Sequence, residues 1–262
     1  MADEIVTPSP WQGLRRFTTA RIGLGRAGDS LPTDALLAFQ FDHARARDAV
    51  HLPFEAEALR AQLEAAGHEV LMLHSDAESR AVYLRRPDLG RRLSAASRLA
   101  LEERATASAA SYDIAFVIAD GLSALATHSH AVPLLSSTAA ALQAMGWRVA
   151  PVAVASQARV ALADEIGQLL GAEQVAILIG ERPGLSVADS LGVYLTCHLL
   201  PRKRDSLYLL FRPRGYRSGT IGRMTPAGCE TTAHRKEDAP IQRYRSRALQ
   251  LSLPQPACCS PW

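Results

Sequence analysis

The chain has 262 residues, 48% of them apolar, and a formal net charge of +3, which is enough apolar material for one large domain or two small ones. No apolar run reaches the roughly 18 residues a membrane helix needs, and the first ten residues, MADEIVTPSP, have neither the basic nor the apolar region of a secretory leader. The expectation is a globular cytoplasmic protein with no membrane span. The charge averages two unlike pieces: residues 1–196 hold 17 Arg, no Lys and 22 acidic residues, a net of −5, whereas residues 197–262 hold 10 Arg, 2 Lys and 4 acidic residues, a net of +8. All four cysteines, Cys197, Cys229, Cys258 and Cys259, fall in that last quarter, so the body carries no disulfide and no thiolate metal site.

In chain order, residues 1–10 read as a short mobile leader. Leu14 to Val50 is predicted to be mainly helical, interrupted by the glycine-rich stretch Gly23 to Gly28, with Asp29 or Ser30 capping a restart. A helix over Glu55 to Ala66 leads through Gly67 to a strand over Glu69 to Leu73, and a further helix spans Arg85 to Arg104, entered at Pro87-Asp88. From Tyr112 the pattern alternates: strand Ile114 to Ala119, helix Leu122 to Met145 with a break near His128 to Pro133, strand Arg148 to Ala155, helix Ala161 to Leu170, strand Val175 to Ile179. This βαβαβ order predicts an α/β fold with a parallel sheet and flanking helices. Asp120 is placed to cap the helix that starts in DGLS, where Gly121 and neighbouring amides could receive a phosphate or amide.

The segment VAILIGERPGLSVADSLGVYLT, Val175 to Thr196, carries the strongest functional signal. A β-branched run ends in the acid-base pair Glu181-Arg182, at the strand edge where open α/β sheets hold ligands. Gly180 and Gly184 are expected to let the backbone approach a ligand, and Pro183 stiffens the turn. Other motifs fail on context. Gly23-Leu-Gly-Arg-Ala-Gly28 is a literal G-x-G-x-x-G with Asp48 beyond it, but RRFTTAR rather than an apolar strand precedes it, and Pro32 follows. The eight histidines lack metal-ligand spacing, and no nucleophile elbow accompanies a His/Asp pair. Arg85-Arg86 and Arg91-Arg92 read as a solvated or docking face, since a net-acidic body opposes nucleic acid.

Five ordered blocks resemble the small (light) subunit of ethanolamine ammonia-lyase: Leu14 to Val50, YLRRPDLGRRL (Tyr83 to Leu93), VIADGLSALA (Val117 to Ala126), ARVALADEIGQLLGA (Ala158 to Ala172) and IGERPGLSVADSLGVYLT (Ile179 to Thr196). The resemblance, from about Trp11 to Thr196, implies a mostly helical region over 11–110 that docks a large subunit, then a Rossmann-like domain over 111–196 that binds adenosylcobalamin. It implies a hetero-oligomeric lyase, packaged in a bacterial microcompartment where the host makes one, that converts ethanolamine to acetaldehyde and ammonia by radical chemistry. Cofactor contacts carry over to Val160, in ARV, and Glu181, in GERPG. Arg182 is placed to pair with the cofactor phosphate, and Gly184 completes the loop. No D-x-H-x-x-G motif occurs, which agrees with a cofactor bound with its own base on cobalt. No residue of this chain is nominated as catalytic; that role falls to the large subunit, a TIM barrel in this family.

After Thr196 the resemblance stops. A cysteine block expected some 30 residues beyond Glu181 falls where this chain has Ser206 to Arg212. The scattered Arg, Pro, Ser and Cys of residues 197–262 suggest a frameshift near codon 197 and a poorly ordered tail. Two rivals stay open: a self-contained nucleotide-dependent enzyme built on Gly23 to Gly28, and an interaction subunit that assembles without a competent cofactor pocket.

Overall fold

The computed structural model describes residues 5–18, 20–107, 111–197 and 205–211. A 3-10 helix, Gln12–Phe17, precedes α1 (Thr33–His51), α2 (Ala56–Ala65), β1 (Val70–His74), α3 (Arg80–Arg85) and α4 (Ala95–Ala107). Then come β2 (Tyr112–Ala119), α5 (Ala124–Ala144), β3 (Val152–Ser156), α6 (Leu162–Leu169), β4 (Ala172–Gly180), β5 (Leu191–Cys197) and β6 (Asp205–Phe211). The strands form one mixed sheet in the order β1-β3-β2-β4-β5-β6. The first four are mutually parallel, and β5 and β6 are antiparallel additions.

The central strands form because their residues are apolar on both faces: Ile114 to Ala119 and Val175 to Ile179 are buried throughout, as strands covered on both sides must be. Helices α2 and α5 pack on one face and α4 and α6 on the other. On the α6 face the sheet offers small residues, Ala115, Ala119, Ala153 and Ala155, which let Leu162 and Ile166 of the helix seat closely against it. On α5 the buried positions Thr127, Ala131, Leu135, Ala139 and Leu142 recur every three or four residues, a single stripe facing the sheet.

Several expectations change. The helix expected from Arg85 to Arg104 is three pieces, α3, a 3-10 turn over Leu89–Arg91, and α4. Pro87 forces Arg86 out of helical geometry (φ −123°, ψ 74°), and Ser94 restarts the helix by accepting from the Ser97 N–H. α5 runs unbroken through Pro133. β3 begins at Val152 rather than Arg148, because Pro151 has no N–H for a ladder. α1 starts after Pro32, with no side-chain cap from Asp29 or Ser30. The strand expected over Glu69 to Leu73 is β1, shifted by one residue, and it pairs with β3. Part of the tail expected to be poorly ordered is a strand: β6 pairs with β5 along its length, from Leu191 with Phe211 to Cys197 with Asp205. The remaining tail calls, on 198–204 and 212–262, and the leader call on 1–4 lie outside the described residues.

Candidate functional site

β3 and β4 leave β2 on opposite sides, so the strand order reverses between β2 and β4, the position where open α/β sheets hold ligands in a crevice. Here that crevice is filled by the protein's own backbone. The Leu122 N–H donates to the Gly180 carbonyl at 2.8 Å, Gly121 has φ +54°, and a Cβ on Gly121 would overlap the Gly180 carbonyl. A Cβ on Gly180 would overlap the Ser123 carbonyl and sit 2.6 Å from that of Asp120. Gly180 thus makes room for a neighbouring loop, not for a ligand as expected.

The reading of Asp120 as a cap open to phosphate is overturned in the same place. Ser123 is the N-cap of α5, accepting from the Ala126 N–H at 3.3 Å. Asp120 is 1% exposed and holds the loop after β3, accepting from the Ala158 N–H at 3.2 Å while Arg80 donates to its other oxygen at 3.1 Å. Burial pushes its carboxyl up to about 6, against the opposing pull of Arg80 and the Ala158 N–H.

The loop that carries Val160 is fixed at nearly every residue. Ser75 donates to the Gln157 carbonyl at 2.7 Å, buried Tyr83 donates its hydroxyl to the Ala158 carbonyl at 3.0 Å, and the Arg159 N–H donates to the Gly90 carbonyl at 2.7 Å. The Arg159 guanidinium stacks 4.3 Å over the Tyr83 ring, and Gln157 takes a left-handed φ of 55°. Val160 itself is half-buried and packs against the α6-side core.

At the end of β4, the Glu181 N–H donates to the Ser190 carbonyl at 2.9 Å, and the Glu181 carboxylate accepts from the Tyr194 hydroxyl at 2.7 Å. Tyr194 packs against the same core as Val160, so the two predicted contacts share the α6 face at the C-terminal edge of the parallel strands. Arg182 and Gly184 are exposed. Among the ion pairs of the described residues none joins Glu181 to Arg182; the carboxylate accepts from Tyr194. The Gly184 N–H closes a tight turn on the Val187 carbonyl at 2.9 Å, and a Cβ there would meet nothing nearer than that oxygen at 3.6 Å. The far side of the loop is anchored to α5, by Ser123 donating to the Ala188 carbonyl at 2.9 Å and by His130 against Asp189 at 3.1 Å.

Gly23 to Gly28 follows a 3-10 helix and forms isolated bridges, Thr7 with Arg26 and Ala27 with Ser30, and among the described residues no strand feeds it as a dinucleotide loop would require. It borders a cavity of about 430 Å³ lined by Arg15, Arg21, Leu24, Asp34, Asp42 and Ser186, in which Arg21 pairs with Asp42. Among the described residues no cluster of His, Cys, Asp or Glu could hold a metal ion, and no helix is long and apolar enough to cross a membrane.

Sequence reasoning missed Tyr83, Gly90 and Ser75 as supports of the Val160 loop, and Tyr194 and Gly192 beside Glu181. Tyr83 and Gly90 both lie in the block YLRRPDLGRRL, which was the available signal.

Comparison with known proteins matches residues 8–208 to the family of the ethanolamine ammonia-lyase light chain, extending the likeness past Thr196 into β6. The ethanolamine ammonia-lyase small subunit of Ralstonia nicotianae is 61% identical over 191 residues, 73% of this chain and 71% of that protein. The small subunit of a Pseudomonas fluorescens strain is 58% identical over 188 residues, 72% of this chain and 68% of its own length. That of Azotobacter vinelandii is 57% identical over 190 residues, 72% and 70% of the two chains. With a family match that spans most of its length and relatives this similar, the chain belongs to the ethanolamine ammonia-lyase small-subunit family.

Proposed function

We propose that this chain is the small subunit of an ethanolamine ammonia-lyase and that it binds adenosylcobalamin, base-on, at the α6-side edge of β3 and β4, under a large catalytic subunit. The observation that carries the reading is that Val160 and Glu181, far apart in sequence, lie at one edge and on one face of the sheet. The donor set suits the group. A corrin periphery is rich in carboxamides and its nucleotide loop in hydroxyls, both of which donate to a carboxylate such as Glu181. Val160 offers an apolar edge, Arg182 an exposed guanidinium for the phosphate, and Gly184 an uncovered stretch of backbone. The β2-β3-β4 unit, with its order reversal, is in this reading a Rossmann-like core.

The cofactor, when bound, supplies radical chemistry for the conversion of ethanolamine to acetaldehyde and ammonia. This chain's part is to hold and orient it, with no residue of its own in the catalytic step. The large subunit docks on the N-terminal region, where Trp11, Phe17, Leu37 and Phe41 are 66%, 73%, 58% and 65% exposed, a concentration of bare apolar side chains that a partner would cover. The setting is cytoplasmic, within a microcompartment where the host builds one, an assignment that follows from the family resemblance. A second reading, an assembly subunit without cofactor competence, is favoured by the absence of a cysteine over Ser206 to Arg212.

The test is to co-express the chain with its cognate large subunit, titrate the purified complex with adenosylcobalamin by visible absorbance, and assay ammonia release from ethanolamine. Binding and turnover are expected. Assembly without cobalamin binding would establish the second reading, and failure to assemble would overturn both.

A further inference from the structure

Glu181 follows directly on β4, and its side chain crosses to the neighbouring strand β5, where Gly192 pairs with Ile179. The space that a Cβ on Gly192 would fill is taken by this side chain: Oε1 would overlap it, and Cδ and Cγ would stand at 3.1 and 3.2 Å. The Tyr194 hydroxyl, two residues along β5, donates to the same Oε1 at 2.7 Å. The Tyr194 ring is itself packed against the α6-side core, so the phenol is a fixed point rather than a swinging one.

A glutamate at a strand end, with freely rotating side-chain bonds, would lose that rotamer freedom on engaging a ligand. Seating the carboxylate over a glycine and tying one oxygen to a rigid phenol removes most of that freedom before any ligand arrives. One phenol occupies only one of about four acceptor positions on a carboxylate, so acceptor capacity remains for amide or hydroxyl donors.

We infer that Tyr194 and Gly192 are positioning residues that hold the Glu181 carboxylate ready for the hydrogen-bond donors of the bound cobalamin, Tyr194 by its hydroxyl and Gly192 by its missing side chain. The inference rests on the reading of Glu181 as a cobalamin contact. Tyr194 acts through Glu181 and touches no reacting atom.

The experiment measures the equilibrium affinity of the assembled complex for cyanocobalamin, a corrinoid without the adenosyl group that turnover needs, by visible absorbance titration. Tyr194→Phe is expected to weaken binding roughly five- to twentyfold, in line with the side-chain freedom that the ligand must then remove, while the complex keeps its elution volume. Gly192→Ala, which pushes the carboxylate from its seat, is expected to weaken binding at least as much. In a Glu181→Ala background, Tyr194→Phe should have no further effect, because a tether without its carboxylate holds nothing. If Glu181→Ala weakens binding but Tyr194→Phe leaves it within about twofold, or if Tyr194→Phe costs the same in both backgrounds, the positioning role is overturned and the cofactor reading survives. If Glu181→Ala leaves affinity unchanged, the cofactor reading of Glu181 fails and the positioning role falls with it.

Discussion

Where β2 and β4 end, neither Gly121 nor Gly180 has room for one added methyl group, whereas in α1, nineteen residues long, Ala49 is the one residue that is buried. The first region satisfies its backbone and fills its space with parts of the same chain, down to a carbonyl lodged against a glycine. The second leaves Leu36, Leu37, Phe39 and Phe41 uncovered on a helix that propensity and its own contacts hold only weakly. Substitutions should therefore be costly to folding in the first region and nearly silent for folding, yet costly for assembly, in the second.

The sharpest test of that contrast is Gly180→Ala, which sets a methyl group against the Ser123 carbonyl. Backbone lies on both sides and neither can yield alone, so a loss of roughly 3–5 kcal/mol is expected in urea unfolding. A loss below about 1 kcal/mol would show that the two loops are not interlocked.

Next comes the pH dependence from Asp120. Its folded-state value, about 6 against an ordinary 3.8, lies above the unfolded one. The folded protein therefore binds this proton more tightly, and the contribution to stability is complete below about pH 4 and lost as pH rises through about 6, a change of roughly 3 kcal/mol. Urea midpoints across that window should decline with pH in the wild type more steeply than in Asp120→Asn. Equal slopes would assign the pH dependence to other groups.

A smaller effect is expected for Ser123→Ala, which removes the cap of α5 and the donor to the Ala188 carbonyl together, roughly 1–2 kcal/mol in thermal or urea unfolding. Smallest is Phe41→Ser. Stability of the full chain alone should stay within about 0.5 kcal/mol, while co-purification with the large subunit falls. A destabilised chain with assembly intact would reverse the roles given to the two regions.

Much of this contrast was legible in the sequence. The runs Ile114 to Ala119 and Val175 to Ile179 are apolar at every position, which only a strand covered on both faces requires, and α6 carries its buried residues at helical spacing. The lateral order of the strands was not legible, because periodicity reports which way side chains face and not which strand lies alongside. Asp120 followed by glycine at a strand end looks like a helix cap, and only the burial of its carboxylate beside Arg80 distinguishes a structural tie from an open amide site. The sequence nominates Glu181 but does not show its seat: the antiparallel register that pairs Ile179 with Gly192 brings Tyr194 within reach, and that register is a tertiary fact. The pairing of β6 with β5 was not legible either, because a weak apolar cluster in the tail does not say which strand it lies beside.

Arg80 gives the molecule a mechanical property. Its guanidinium donates to the Val50 carbonyl in the last turn of α1 at 2.8 and 3.0 Å, to the Gly121 carbonyl at 2.7 Å and to Asp120 at 3.1 Å. Asp120 in turn grips the Ala158 N–H, two residues before Val160. The end of the exposed helix and the strand edge are thus joined through one rigid, planar group, and while those bonds hold, the two have a single coordinate of displacement between them rather than one each.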